Sequence, residues 1–193
     1  MNIKAEEYLN YFKKTLEYLD LKDLNDIINT LLKAYKEDKQ IFIMGNGGSA
    51  VLASHFACDL GKGTLQNVYD DKEKRFRVIS LTDNIALMTA YSNDLDYEHV
   101  FSQQLKNLVN ANDVVIGISA SGNSKNVINA IHLAKKNKAI TKGLLGFDGG
   151  KLRDLVDFKI VVKNYHYGMV EDVHSALQHM ICSMIREKFK TRQ

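Results

Sequence analysis

A chain of 193 residues, 45% hydrophobic and 25% charged, has the size and composition of one globular domain with a substantial core, which excludes a disordered chain. Its 26 basic and 23 acidic side chains leave a net charge of +3 without a long basic run, so nucleic-acid binding has little support and small anionic ligands fit. No run of about 18 apolar residues is present, the first twenty residues are charged rather than signal-like, and Cys58 and Cys182 are too few for a disulfide framework; the expectation is a cytoplasmic protein, off the membrane, with both cysteines as small core residues.

In chain order, Tyr8, Leu9, Phe12, Leu16 and Leu19 fall at helical spacing, and Ile27, Ile28, Leu31, Leu32 and Tyr35 repeat the pattern. Residues 1–37 are therefore expected to form a helical hairpin that packs on the domain or on a neighbouring subunit. Ile41 to Met44 reads as a buried central strand, Gly45-Asn46-Gly47-Gly48 as a turn tolerant of positive φ, and Ser49 as the cap of a helix that carries His55 and Asp59 four apart. A polar loop from Leu65 to Arg75 precedes a strand at Phe76 to Leu81. A helical stretch follows, then a break at Asn93-Asp94 and a further helix over about Tyr97 to Val109. Val114 to Ile118 is the third strand, followed by Ser119-Ala120-Ser121-Gly122-Asn123-Ser124 and a helix from about Lys125 to Lys136. Strands at Ile140 to Phe147 and Phe158 to Val162, and a helix from about Met169 to Lys190, complete the chain. This alternation predicts an α/β fold, a mostly parallel five-stranded sheet covered on both faces, spanning residues 1–193 as one domain. Ligands in such sheets bind beyond the carboxyl ends of the strands, where the glycine and serine loops belong.

Both loops end at helix N-termini, which attract anions through free N–H groups and the helix dipole. The serine loop adds the hydroxyls of Ser119, Ser121 and Ser124, a set suited to a phosphate. It lacks the Gly-Lys-Ser/Thr ending of an ATP-binding loop, and the glycines are not spaced as a dinucleotide fingerprint. The last helix carries Glu171, Asp172, His174, Gln178 and His179 beside an apolar face. Glu171 and His179 are separated by about 12 Å along the axis, so a shared ligand requires stretched side chains, an irregular helix or a second subunit. His174 and His179, taken singly, read more simply as hydrogen-bonded core histidines.

The order GNGGS, HF-A-x-D-L, ND, S-x-SGNS and a late E-x7-H resembles the sugar isomerase (SIS) domain over nearly the whole chain, and within it the phosphoheptose isomerases. The resemblance implies a three-layer α/β/α sandwich and a homotetramer with sites between subunits. It implies interconversion of sedoheptulose 7-phosphate and D-glycero-D-manno-heptose 7-phosphate, on the way to nucleotide-activated heptose for surface polysaccharide. By position, Asn46, Gly47, Gly48 and Ser49 would line the sugar site, with Asp59, Asn93, Asp94 and Glu171 touching the substrate. Ser119, Ala120, Ser121 and Ser124 would hold its phosphate. His55, Asp59, Glu171 and His179 would bind one zinc ion per subunit, and Asp59 and His179 would carry catalysis. Asp59 and Glu171 stand where the family has glutamate and glutamine, Ala120 replaces a threonine, and the family's arginine after the first helix is absent, with Lys62 the candidate substitute.

An aldose–ketose isomerase needs a carboxylate to move a carbon-bound proton and an acid to handle the neighbouring oxygens, roles open to Asp59 and His179. An isomerase or epimerase of another phosphosugar, and a non-catalytic SIS adaptor such as one that binds the initiator DnaA, are the alternatives. The adaptor is disfavoured because His55, Asp59 and His179 are all present.

Overall fold

Valine and isoleucine fill the middle strand β3 (Val114–Ser119), which is buried at all six positions and so must be covered on both faces. In the computed structural model, which describes residues 4–190, it lies at the centre of a parallel sheet of order β2-β1-β3-β4-β5. The other strands are β1 (Gln40–Met44), β2 (Arg77–Ser80), β4 (Ile140–Gly146) and β5 (Phe158–Val162), and every pairing is parallel. Because side chains alternate along a strand, Ile41 and Ile43 enter one core while Phe42 and Met44 enter the other. The first core is closed by α2 (Leu24–Lys36), α3 (Gly48–Cys58) and α8 (Tyr167–Lys190). The second is closed by α5 (Val100–Leu108), α6 (Lys125–Lys136) and the short α7 (Leu152–Leu155). The expected three-layer α/β/α sandwich is the observed fold, with a fully parallel sheet.

The leading hairpin divides in two. Helix α2 buries Leu24, Ile27, Ile28, Leu31 and Leu32 in the first core, whereas α1 (Ala5–Glu17) buries only Thr15 and leaves Leu9, Tyr11 and Leu16 exposed. Helix α4 (Ile85–Asp94) buries none of its residues. Residues 1–3 of the expected hairpin lie outside the described residues.

The structure corrects several local expectations. Asn93 and Asp94 form the last turn of α4 rather than a break, which falls at Leu95 and Asp96 before a 3₁₀ turn at Tyr97–His99. Cys182 is buried as expected, but Cys58 is exposed at the outer face of α3. Between Asp59 and Gly63 the helix widens into a π-helical turn, a rare form that recurs at functional sites. The period of apolar residues carries no sign of it.

Candidate active site

The glycine turn leaves β1 with Gly47 at φ 55°, so α3 starts at Gly48 with Gly47 as its N-cap. Ser49 is therefore buried inside the first turn and makes no capping bond, contrary to expectation, because the glycine already caps the helix two residues earlier. A Cβ built on Gly48 would fall 2.5 Å from an oxygen of Glu171. The missing side chain admits that carboxylate to the N-terminus of α3, where free N–H groups and the helix dipole favour negative charge. Asn46 is locked by a reciprocal amide pair with Asn126, 2.8 and 2.9 Å, and its Oδ1 also accepts from the Tyr97 hydroxyl at 2.9 Å. Asn126 and Tyr97 join the turn to α6 and to the loop after α4. No spacing rule in the sequence connects them.

Further along the same helices lies a second cluster. His55 Nε2 is 3.5 Å and His179 Nε2 3.7 Å from Asp59 Oδ2. The two imidazoles meet edge to face with centroids 5.0 Å apart. Their side chains are 46% and 54% exposed and that of Asp59 25%, so the cluster faces outward from the α3–α8 seam. The three donor atoms lie within 4.8 Å of one another. Two donors each about 2.1 Å from a tetrahedral ion sit about 3.4 Å apart, so this set fits a divalent ion with one coordination position open. Glu171 is not brought to it. Eight residues of helix put about 12 Å between Glu171 and His179, and the Glu171 carboxylate lies beside Gly48 instead. Behind Asp59 and His179 is a cavity of about 180 Å³ lined also by Gly63, Cys182, Ser183 and Arg186.

In the serine loop, Ser119 Oγ lies 3.1 Å from Ser124 Oγ and accepts from the Gly122 N–H at 3.1 Å. Ser121 Oγ accepts from the Asn123 N–H at 3.2 Å, while Ala120 is buried in the first core and can offer a ligand only its backbone. Gly122, at φ 64°, passes so close to Gly149 that a Cβ there would lie 1.9 Å from the Gly149 carbonyl oxygen. Asn93 and Asp94 are exposed, and the Asn93 amide donates to Asp94 at 3.0 Å.

The remaining polar side chains of α8 have separate fates. His174 is fully buried, its Nε2–H donating to the Leu145 carbonyl at 3.0 Å, and burial pushes its pKa down to about 4. It is the hydrogen-bonded core histidine that α8 allowed for, whereas the exposed His179 is not. Gln178, fully buried, donates its amide to Asp59 Oδ2 at 2.8 Å. In the sequence Gln178 is one of several polar residues on the last helix, with nothing to single it out.

The SIS domain model matches residues 7–146. A phosphoheptose isomerase of Helicobacter pylori is 37% identical over 191 residues, covering 97% of this chain and 96% of that one. One from Nitratiruptor is 39% identical over 159 residues, 82% of each chain. The solved structure of a phosphoheptose isomerase from Neisseria gonorrhoeae superposes with a TM-score of 0.83 at 30% identity, covering 94% of both chains. With the parallel five-stranded sheet, the two loops at its carboxyl edge and these relatives over nearly its full length, the chain belongs to the SIS domain family and, within it, to the phosphoheptose isomerases.

Proposed function

We propose that the chain is a cytoplasmic aldose–ketose isomerase that converts sedoheptulose 7-phosphate to D-glycero-D-manno-heptose 7-phosphate, feeding nucleotide-activated heptose to a surface polysaccharide. The observation that carries this reading is the Asp59 carboxylate set between two outward-facing imidazoles, on the helix that begins at the glycine turn. Isomerisation transfers a proton between the first two carbons through an enediol. Asp59 takes the proton from one carbon and returns it to the other, and His179 passes protons to and from the adjacent oxygens. Ser119, Ser121 and Ser124 with the N–H groups of α6 hold the phosphate, a remote handle that aligns the reacting carbons. Asn46, Gly47, Gly48 and Ser49 line the sugar's path, with Asn93, Asp94 and Glu171 as further substrate contacts.

His55, Asp59 and His179 would hold one zinc ion per subunit, which when bound would polarise the sugar carbonyl. The set of two imidazoles and a carboxylate with an open position suits that role, and Glu171 would join it only through another subunit. A homotetramer is supported by the exposed Leu9, Tyr11 and Leu16 of α1 and by the unburied α4. It is supported too by the 180 Å³ cavity, smaller than the roughly 300 Å³ of a complete small-molecule site. The chain would act as one SIS domain over residues 1–193, with α2 packed on its own sheet and α1 on a neighbour.

Incubating the protein with a panel of sugar phosphates, with and without added zinc, and identifying products by NMR tests the reading. Formation of the seven-carbon aldose phosphate is the expected result. Turnover of a different phosphosugar alone would reassign the substrate, and no turnover of any would leave a binding protein.

A further inference from the structure

Asp59 Oδ2 is the atom on which the cluster converges, and only one of its neighbours is within hydrogen-bond distance. The two imidazole nitrogens stand off at 3.5 and 3.7 Å, while Gln178 Nε2 donates at 2.8 Å. Gln178 has no exposed surface, and its Oε1 has no hydrogen-bond partner among the described residues. An amide buried with its carbonyl oxygen unpartnered costs stability, as any unsatisfied buried polar group does. A leucine would fill the same space without that cost. The one bond Gln178 does make is to the carboxylate of the proposed base.

The setting of Asp59 explains why such a bond is needed. Asp59 opens the π-helical turn, where the widened backbone departs from the regular hydrogen-bond ladder. Two glycines, Gly61 and Gly63, follow in the same turn, and Gly63 leaves open space beside the carboxylate, where an added Cβ would sit 3.6 Å from Oδ1. Neither histidine braces it, since both are about half exposed. The rigid support comes from α8, whose neighbours Val173, Leu177 and Ile181 are fully buried.

We infer that Gln178 is the positioning residue of the active site: its buried amide fixes Asp59 Oδ2 toward His55 and His179 and leaves Oδ1 beside the open space at Gly63. This deepens the isomerase reading and rests on it. Supporting groups behind a metal or a base are typically worth about 10–100-fold in activity or metal affinity when removed.

The test is a double-mutant cycle on the full-length protein. Gln178→Leu should lower kcat about 10–100-fold with KM changed by no more than about twofold, because the bond acts on the base and not on sugar binding. In an Asp59→Asn background the same substitution should change the residual rate by less than about twofold, since the base that the amide positions is already gone. Equal losses in both backgrounds would mean a general packing effect and overturn the inference, as would a parental kcat in Gln178→Leu. If Gln178→Leu does not fold, Gln178→Glu keeps the shape and replaces the donor with an acceptor, and a parental kcat in that variant overturns the inference equally. Cobalt binding, followed by its visible absorption, separates this inference from the function. If the parent protein turns over no sugar phosphate, the isomerase reading falls, yet Gln178→Leu should still bind cobalt about tenfold more weakly than the parent. Unchanged cobalt affinity would then remove the positioning role as well.

Discussion

The glycine turn and the serine loop are the same local device on adjacent strands, and they are used in opposite ways. Each follows a buried parallel strand, turns at a positive-φ glycine and opens a helix N-terminus toward the carboxyl edge of the sheet. At the glycine turn the protein's own Glu171 carboxylate already occupies the helix end, and the chemistry lies two to three turns further along α3. At the serine loop the hydroxyls bond to one another and to the loop's own N–H groups, and no residue of α6 belongs to the cluster of His55, Asp59 and His179. A helix N-terminus attracts negative charge in either case. What decides between a ligand and a side chain is whether another element, here α8, reaches it first.

That division of labour predicts separable effects. The largest belongs to the glycine-turn helix: Asp59→Asn should lower kcat by about 10²–10⁴-fold with KM nearly unchanged. Steady-state kinetics with deuterium wash-in from solvent measures it, and an equal loss of binding would erase the contrast between the two units.

The second effect concerns how α8 is held against the sheet. His174, buried against the Leu145 carbonyl, has its pKa pushed down to about 4 by burial from 6.5. A depressed pKa means that the unfolded chain binds the proton first, so its stability contribution is complete above about pH 6.5 and declines as pH falls toward 4. The loss should be about 2 kcal/mol at pH 5 and about 3 kcal/mol at pH 4. Urea unfolding at pH 7.5 and pH 5 checks this, and a variant with His174→Gln should lose that part of the slope. The phosphate unit should then respond as the mirror of Asp59. Removing both hydroxyls in Ser119→Ala/Ser124→Ala should raise KM about 10–30-fold, the lower range for one hydrogen bond to a charged group, and leave kcat within about threefold.

The smallest effect is at the occupied helix end. Glu171→Gln keeps the shape but removes the charge from the N-terminus of α3, and should lower stability by about 0.3–1 kcal/mol at low salt, less in high salt. Thermal melts at two ionic strengths measure it. A gain in stability would show that the carboxylate is strained at Gly48 rather than welcomed there.

Much of this was legible in the chain because it depends on local rules. The apolar runs located all five strands within about two residues, and β5 at its observed bounds, since a buried parallel strand cannot be built from polar residues. His55 and Asp59 were readable as a pair because four residues of helix place them on one face. The turn chemistry was readable in outline, although Gly47 displaced Ser49 from the cap.

The sequence by itself therefore determined the alternation of strands and helices, the two anion-binding loops and the types of side chain near them. Only the tertiary structure decided which of these meet. Whether Glu171 or Gln178 reaches the α3 cluster depends on how α8 lies against α3, and the two residues sit seven apart on one helix, indistinguishable as polar interruptions of an apolar face. Packing set α8 so that Glu171 falls on Gly48 and Gln178 on Asp59, and the bonds joining Asn46 to Asn126 and Tyr97 arose in the same way. The physical reason is that local periodicity specifies the face a residue occupies. Its partner is chosen by the axial register between elements distant in the chain, and that register is set by the whole buried core at once.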